Sequence, residues 1–228
     1  MPALDELALA LARQQVQPEP GLRALVPVPG SVSPSRQNRP MDTQFVIAET
    51  RAWVDRAVIG LNLCPFAKAV QVKQQIRYAV CEASDSDALR AALFDELERQ
   101  TRADPQVTDT TLLIHPHVLQ DFGDYNAFLD AADAALAALK LDGILQIASF
   151  HPQYQFADVA GDDISNATNR SPFPTLHLLR EASVARAVAA FPEAQAIFQA
   201  NISTLQRLGA EGWAALQQRC RDDAASAR

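Results

Sequence analysis

The 228-residue sequence lacks any apolar run of about 18 residues, so no segment is long enough to cross a bilayer as a helix. Glycine is scarce, at 8 residues, and no strand candidate is followed by G-x-G-x-x-G or by G-x-x-x-x-G-K-[ST]. That counts against the usual dinucleotide cradle and the P-loop. Cysteine is scarcer still: Cys64, Cys81 and Cys220 are odd in number, far apart, and include no C-x-x-C pair. That pattern does not support a disulfide framework and points to a reducing compartment. No dense Lys/Arg block occurs, and the formal net charge is −7. Nucleic acid and anionic membrane are thereby disfavoured as main partners, although a local basic pocket remains compatible with this balance. The first residues carry Asp5 and Glu6 and no basic region ahead of an apolar stretch, unlike a secretory signal. A cytoplasmic protein is expected.

What is present is ordinary for a globular chain: 48% hydrophobic and 21% charged residues. Residues 1–41 read as a flexible Pro-rich extension, with prolines at 18, 20, 27, 29, 34 and 40. Met41 follows that segment, and a second reading starts translation there. Residues 42–220 read as one α/β domain, and 221–228 as a disordered polar tail.

Within the domain, Asp42 or Thr43 caps a helix with Val46, Trp53, Val54 and Leu61 at helical spacing, ending near Gly60–Asn62. Gln75–Glu82 alternates as a strand, and Ser84 caps a helix over 85–102. Thr110–His115 is a near-continuous apolar strand, Asp121 caps the next helix, and Ile144–Phe150 is a third strand. A long loop follows. Pro172 or Pro174 then opens a helix running to about Ala190 and carrying His177 and Glu181. Pro192 starts another helix, closed by Gly209, and a short last helix carries Trp213 and Leu216. Strands separated by helices imply crossovers, hence a small, mainly parallel sheet of about three or more strands, flanked by helices, with a C-terminal helical segment.

Two strands end alike, in Leu-Ile-His115-Pro116 and Ser-Phe-His151-Pro152. Ligands of open parallel sheets bind beyond the carboxyl ends of the strands, where both histidines fall. Whether the two imidazoles share a ligand depends on strand order: neighbours lie about 4.8 Å apart, and one intervening strand doubles that. Cys81-Glu82 ends the first strand at the same edge. If 177–181 is helical, His177 and Glu181 face the same way. Asn169, Arg170 and Ser171 precede a helix start and make a candidate anion cradle.

Asn62-Leu63-Cys64-Pro65-Phe66-Ala67, Leu113-Ile114-His115-Pro116, Asp121-Phe122 with Tyr125-Asn126, Ser149-Phe150-His151-Pro152, and Thr168-Asn169-Arg170-Ser171-Pro172-Phe173-Pro174 through Glu181 occur in this order. Together they resemble the bacterial "domain of unknown function 1415" family over roughly residues 43–215, on the spread of those motifs. The resemblance implies a single domain with Cys64, the histidines and the Asn-Arg-Ser loop as landmarks. It carries no activity.

The leading expectation is a hydrolase-like enzyme acting on a small anionic substrate. Some of His115, His151 and His177, two or three imidazoles with a carboxylate or thiolate, would hold a divalent metal, zinc or iron, with an open position for water. Glu181 would act beside them, and Asn169, Arg170 and Ser171 would hold the substrate. Two alternatives stay open: a metal-free enzyme with Cys64 as nucleophile and a histidine as base, and a non-catalytic module binding a small anion.

Overall fold

The computed structural model describes residues 42–190 and 194–227. The reading of 1–41 as an extension lies outside the described residues. Helix α1, Thr43–Trp53, is capped by the Asp42 carboxylate on the Gln44 N–H, as its sequence suggests. It runs without a break into a single π-helical segment, Val54–Ile59. The chain then turns through Asn62, at φ 54°, into the short helix α2, Ala67–Val72, which no capping or periodic signal marks.

Strand β1 is Ile76–Val80, helix α3 Ser86–Arg102, strand β2 Thr110–Ile114, helix α4 Phe122–Ala138 and strand β3 Leu145–Phe150. The α3 cap is Asp85, whose carboxylate accepts from the Ala88 N–H, one residue on from the Ser84 expected. Beyond the loop come a 3-10 helix at Ile164–Asn169, strand β4 at Thr175–Arg180, helix α5 at Glu181–Ala190 and helix α6 at Ala194–Ser226. None of the described helices is long and apolar enough to cross a membrane.

Two expectations are corrected. Residues 175–180, expected as helix, form β4, and the sheet order is β1-β2-β4-β3. β1 pairs parallel with β2, whereas β4 pairs antiparallel with both β2 and β3. The sheet is therefore mixed, with two antiparallel pairings and one parallel, and is not mainly parallel. The three strands linked by helical crossovers do run in one direction, as such connections require. The fourth enters between β2 and β3 from the opposite end. The physical reason lies in Thr-Leu-His-Leu-Leu-Arg: its period-2 positions Leu176 and Leu178 are fully buried, and Pro174 stands just before the strand, where a missing N–H is tolerated. The second correction concerns the tail. Residues 221–226 are helical, with Ala224 buried and Asp223 paired to Arg56.

The sheet carries a core on each face. On one, Leu89, Leu93 and Leu97 of α3 and Tyr125, Phe128 and Leu129 of α4 pack on Ala79, Leu113, Ile147, Leu176 and Leu178. On the other, Val46 and Trp53 of α1 and Leu205, Trp213 and Leu216 of α6 pack on Leu112 and Ile114. Both faces being covered explains why β2 reads as a near-continuous apolar run, with all five of its residues buried.

Candidate functional site

The carboxyl ends of β1, β2 and β3 share one edge with the amino end of β4. His115 follows β2, and its backbone N–H donates to Pro174 O; His151 follows β3, and its backbone N–H donates to Asn169 O. One strand thus stands between the two histidines. Their side chains nevertheless converge on Tyr125 of α4, with ring centroids 5.8 Å from His115 and 5.0 Å from His151. The Tyr125 hydroxyl donates to Thr175 O and accepts from the Phe150 N–H, tying β4 to β3 beneath the rings.

Each imidazole is engaged differently. His151 Nδ1 accepts from the Gln153 N–H at 3.0 Å, which leaves Nε2 to donate to Leu119 O at 3.2 Å. His115 Nδ1 donates to Val118 O at 3.1 Å, while its buried Nε2 has no partner. Burial pushes His115 down to about 4 and lowers His151 as well, each opposed by its backbone hydrogen bonds. Both are neutral rings at neutral pH.

His177 is elsewhere. It sits mid-sheet in β4, paired with Leu112 on one side and Ala148 on the other. Its side chain shares the α1/α6 face with Leu112, away from His115 and His151. Thr110 Oγ1 donates to Leu178 O and therefore accepts from His177 Nε2 at 2.7 Å. Burial lowers His177 to about 4. Glu181 is the first residue of α5, and its N–H bonds Ile144 O at the opposite edge of the sheet. The helical His177–Glu181 pair expected from the sequence does not form, because the strand-to-helix boundary falls between them. Among the described residues no group of three or more His, Cys, Asp or Glu side chains is arranged to hold a metal ion. The three imidazoles lie in two sets on two faces and do not fit one shared ion.

Cys64 lies in the turn after the π-helical segment, its sulfur facing the N–H groups of Phe66 and Ala67. The residue keeps partial exposure, but burial of the thiol raises its pKa, which disfavours the thiolate. No hydrogen bond joins it to a histidine among the described residues.

The Asn-Arg-Ser loop is firmly built. Asp163 caps the 3-10 helix through the Ser165 N–H. Asn166, fully buried, donates to Ala160 O and accepts from the Phe156 N–H. Asn169 donates to Ser149 O and so serves the scaffold. Arg170 and Ser171 are placed differently: with Pro152, Glu49 and Trp53 of α1, and Gln217, Cys220 and Arg221 of α6, they line a cavity of about 250 Å³. Arg170 Nε donates to Tyr154 O and Nη2 to Gly161 O. It has no carboxylate partner among the described residues, and burial lowers its pKa. The Ser171 hydroxyl donates to Phe173 O, leaving an oxygen lone pair as its free function. Cys220, also on the wall, is pushed up to about 11 by burial, with Arg56 acting against it and Glu49 with it.

The cavity brings together two of the expected substrate-binding residues, Arg170 and Ser171, and leaves out Cys64, the histidines and Glu181. Its other wall carries no signal in the sequence. Glu49, Trp53 and Arg221 bear no local motif, and Arg221 fell in the supposed tail; only the packing of α6 on α1 brings them to the loop.

Neither a curated protein nor a solved structure matches the chain. A family described as "Protein of unknown function (DUF1415)" matches residues 45–215, spanning every element from α1 into the second half of α6. The chain belongs to this family of unknown function.

Proposed function

We propose that the protein binds a small anion in the cavity between the 3-10 loop, α1 and α6, with Arg170 as the anchor. The observation that carries this reading is a half-buried guanidinium on the cavity wall with no carboxylate partner among the described residues. Taking a cation partly out of water is unfavourable unless something compensates it. Two of its five N–H donors go to Tyr154 O and Gly161 O, which fixes the plane of the group and leaves donors for a carboxylate or phosphate. The cavity lies at the carboxyl edge of the sheet, where α/β proteins bind ligands. Metal-dependent hydrolysis with all three of His115, His151 and His177 as ligands would need them as one set. Their division between two faces favours the anion-binding alternative.

The test is thermal melting with inorganic phosphate, acetate and succinate, in wild type and in Arg170→Ala. An anion at about 100 times its dissociation constant stabilises the fold by about 2.7 kcal/mol. For a domain of this size that is a rise of about 5–10 °C. We expect that rise in wild type and its disappearance in Arg170→Ala. No rise with any anion, or an equal rise in the variant, would overturn the proposal.

A further inference from the structure

Arg170 is not the only cation on that wall. Arg221 comes to the same cavity from α6. The two residues that follow it are acidic, yet neither pairs with it: Asp223 is bonded by Arg56 through Nε and Nη2, and Asp222 accepts from Gln218 Nε2. Arg221 instead donates twice to the neutral Gln218 Oε1, at 3.1 Å and 2.8 Å. It is thus held in place by a neutral partner. Arg56, Arg77, Arg90, Arg99 and Arg102, by contrast, each pair with a carboxylate. The cavity is lined by two arginines from two separate elements, each with its guanidinium held by hydrogen bonds, and by Trp53 and Glu49.

We infer that the ligand is a short, two-ended dianion, one end on Arg170 and the other on Arg221, with its apolar middle against Trp53. This rests on the anion-binding reading and adds to it a second recognition group and a ligand class. Arg170 comes from the loop and Arg221 from the helix, so the two cations can each take a separate anionic group of one ligand. The size agrees: a cavity of about 150 Å³ accepts benzene, so about 250 Å³ suits a ligand with on the order of ten non-hydrogen atoms. A four- or five-carbon dicarboxylate, or a small carboxylate bearing a phosphate ester, has this form.

Titration calorimetry with succinate, butyrate and inorganic phosphate separates the possibilities, because succinate and butyrate share a four-carbon chain and differ in the second charge. In wild type, succinate should bind at least ten-fold tighter than butyrate or phosphate. Arg221→Ala should bring succinate to the level of butyrate while leaving butyrate unchanged, and Arg170→Ala should weaken all three. Arg221→Gln, which keeps a polar side chain of similar reach, should behave as Arg221→Ala and serves if the alanine variant melts early. Butyrate or phosphate binding as tightly as succinate, or a succinate advantage that survives at position 221, overturns the inference and leaves anion binding standing. Failure of all three anions to bind wild type, or binding indifferent to Arg170→Ala, overturns both.

Discussion

At the scale of single residues, the buried histidines make a thermodynamic demand. His115 and His177 hold their rings neutral, with pKa values of about 4 against an ordinary 6.5. The unfolded chain therefore takes up protons first as the pH falls. The stabilisation is complete above pH 6.5 and is lost as the pH drops through about 4. Each ring contributes on the order of 3 kcal/mol across that window. Urea unfolding from pH 6.5 down to pH 4 should show the decline, and His177→Gln should flatten part of it. Stability that is level across the window would contradict the burial of neutral rings. His115 and His151 were legible as a repeated strand-end feature, and they do meet at Tyr125. Their hydrogen bonds to Val118 O, Leu119 O and the Gln153 N–H were not legible, because they depend on loop shapes that no residue pattern encodes.

At the scale of elements, β1, α3, β2, α4 and β3 could be read from periodicity and caps, since each carries a signal within its own length. β4 could not. It passes into α5 without an intervening loop, and His177 with Glu181 mimics helical spacing across the boundary. Gly209 was read correctly as a stop: it breaks α6 at φ 69° and ψ 172°, a region open essentially to glycine alone. A Cβ there would meet nothing within 4 Å, so the cost of Gly209→Ala is backbone strain and not collision. We expect a loss of about 1–3 kcal/mol in urea unfolding, while Gly161→Ala, whose Cβ would make ordinary contact with Gln155, changes little. Equal stability for the two variants would mean that the α6 break is not held in this conformation.

At the scale of the whole molecule, the loop half of the candidate site was visible in the sequence and the helical half was not. Arg170 and Ser171 stood out in an irregular segment rich in Asn, Asp and Pro. Arg221 reaches the same cavity only because α6 lies along α1, an arrangement set by Leu205, Trp213 and Leu216 meeting Val46 and Trp53. Such long-range packing leaves no local trace at the residue that benefits from it.

The position of β4 also bears on how the chain comes off the ribosome. β2 and β3 bond to β4 and not to each other, so each presents an open edge until Thr175–Arg180 has been synthesised. The keystone of the sheet is its last strand to emerge, and loop closure must precede the contacts that reward it. Nascent chains halted before Pro174 should be cut by a protease that spares the full-length protein. Survival of the shorter chain would show that the first three strands hold together without the fourth. Exposed strand edges in such an intermediate are pairing surfaces for other chains, so synthesis crowded by neighbouring copies is the stage at which this protein is most exposed to aggregation.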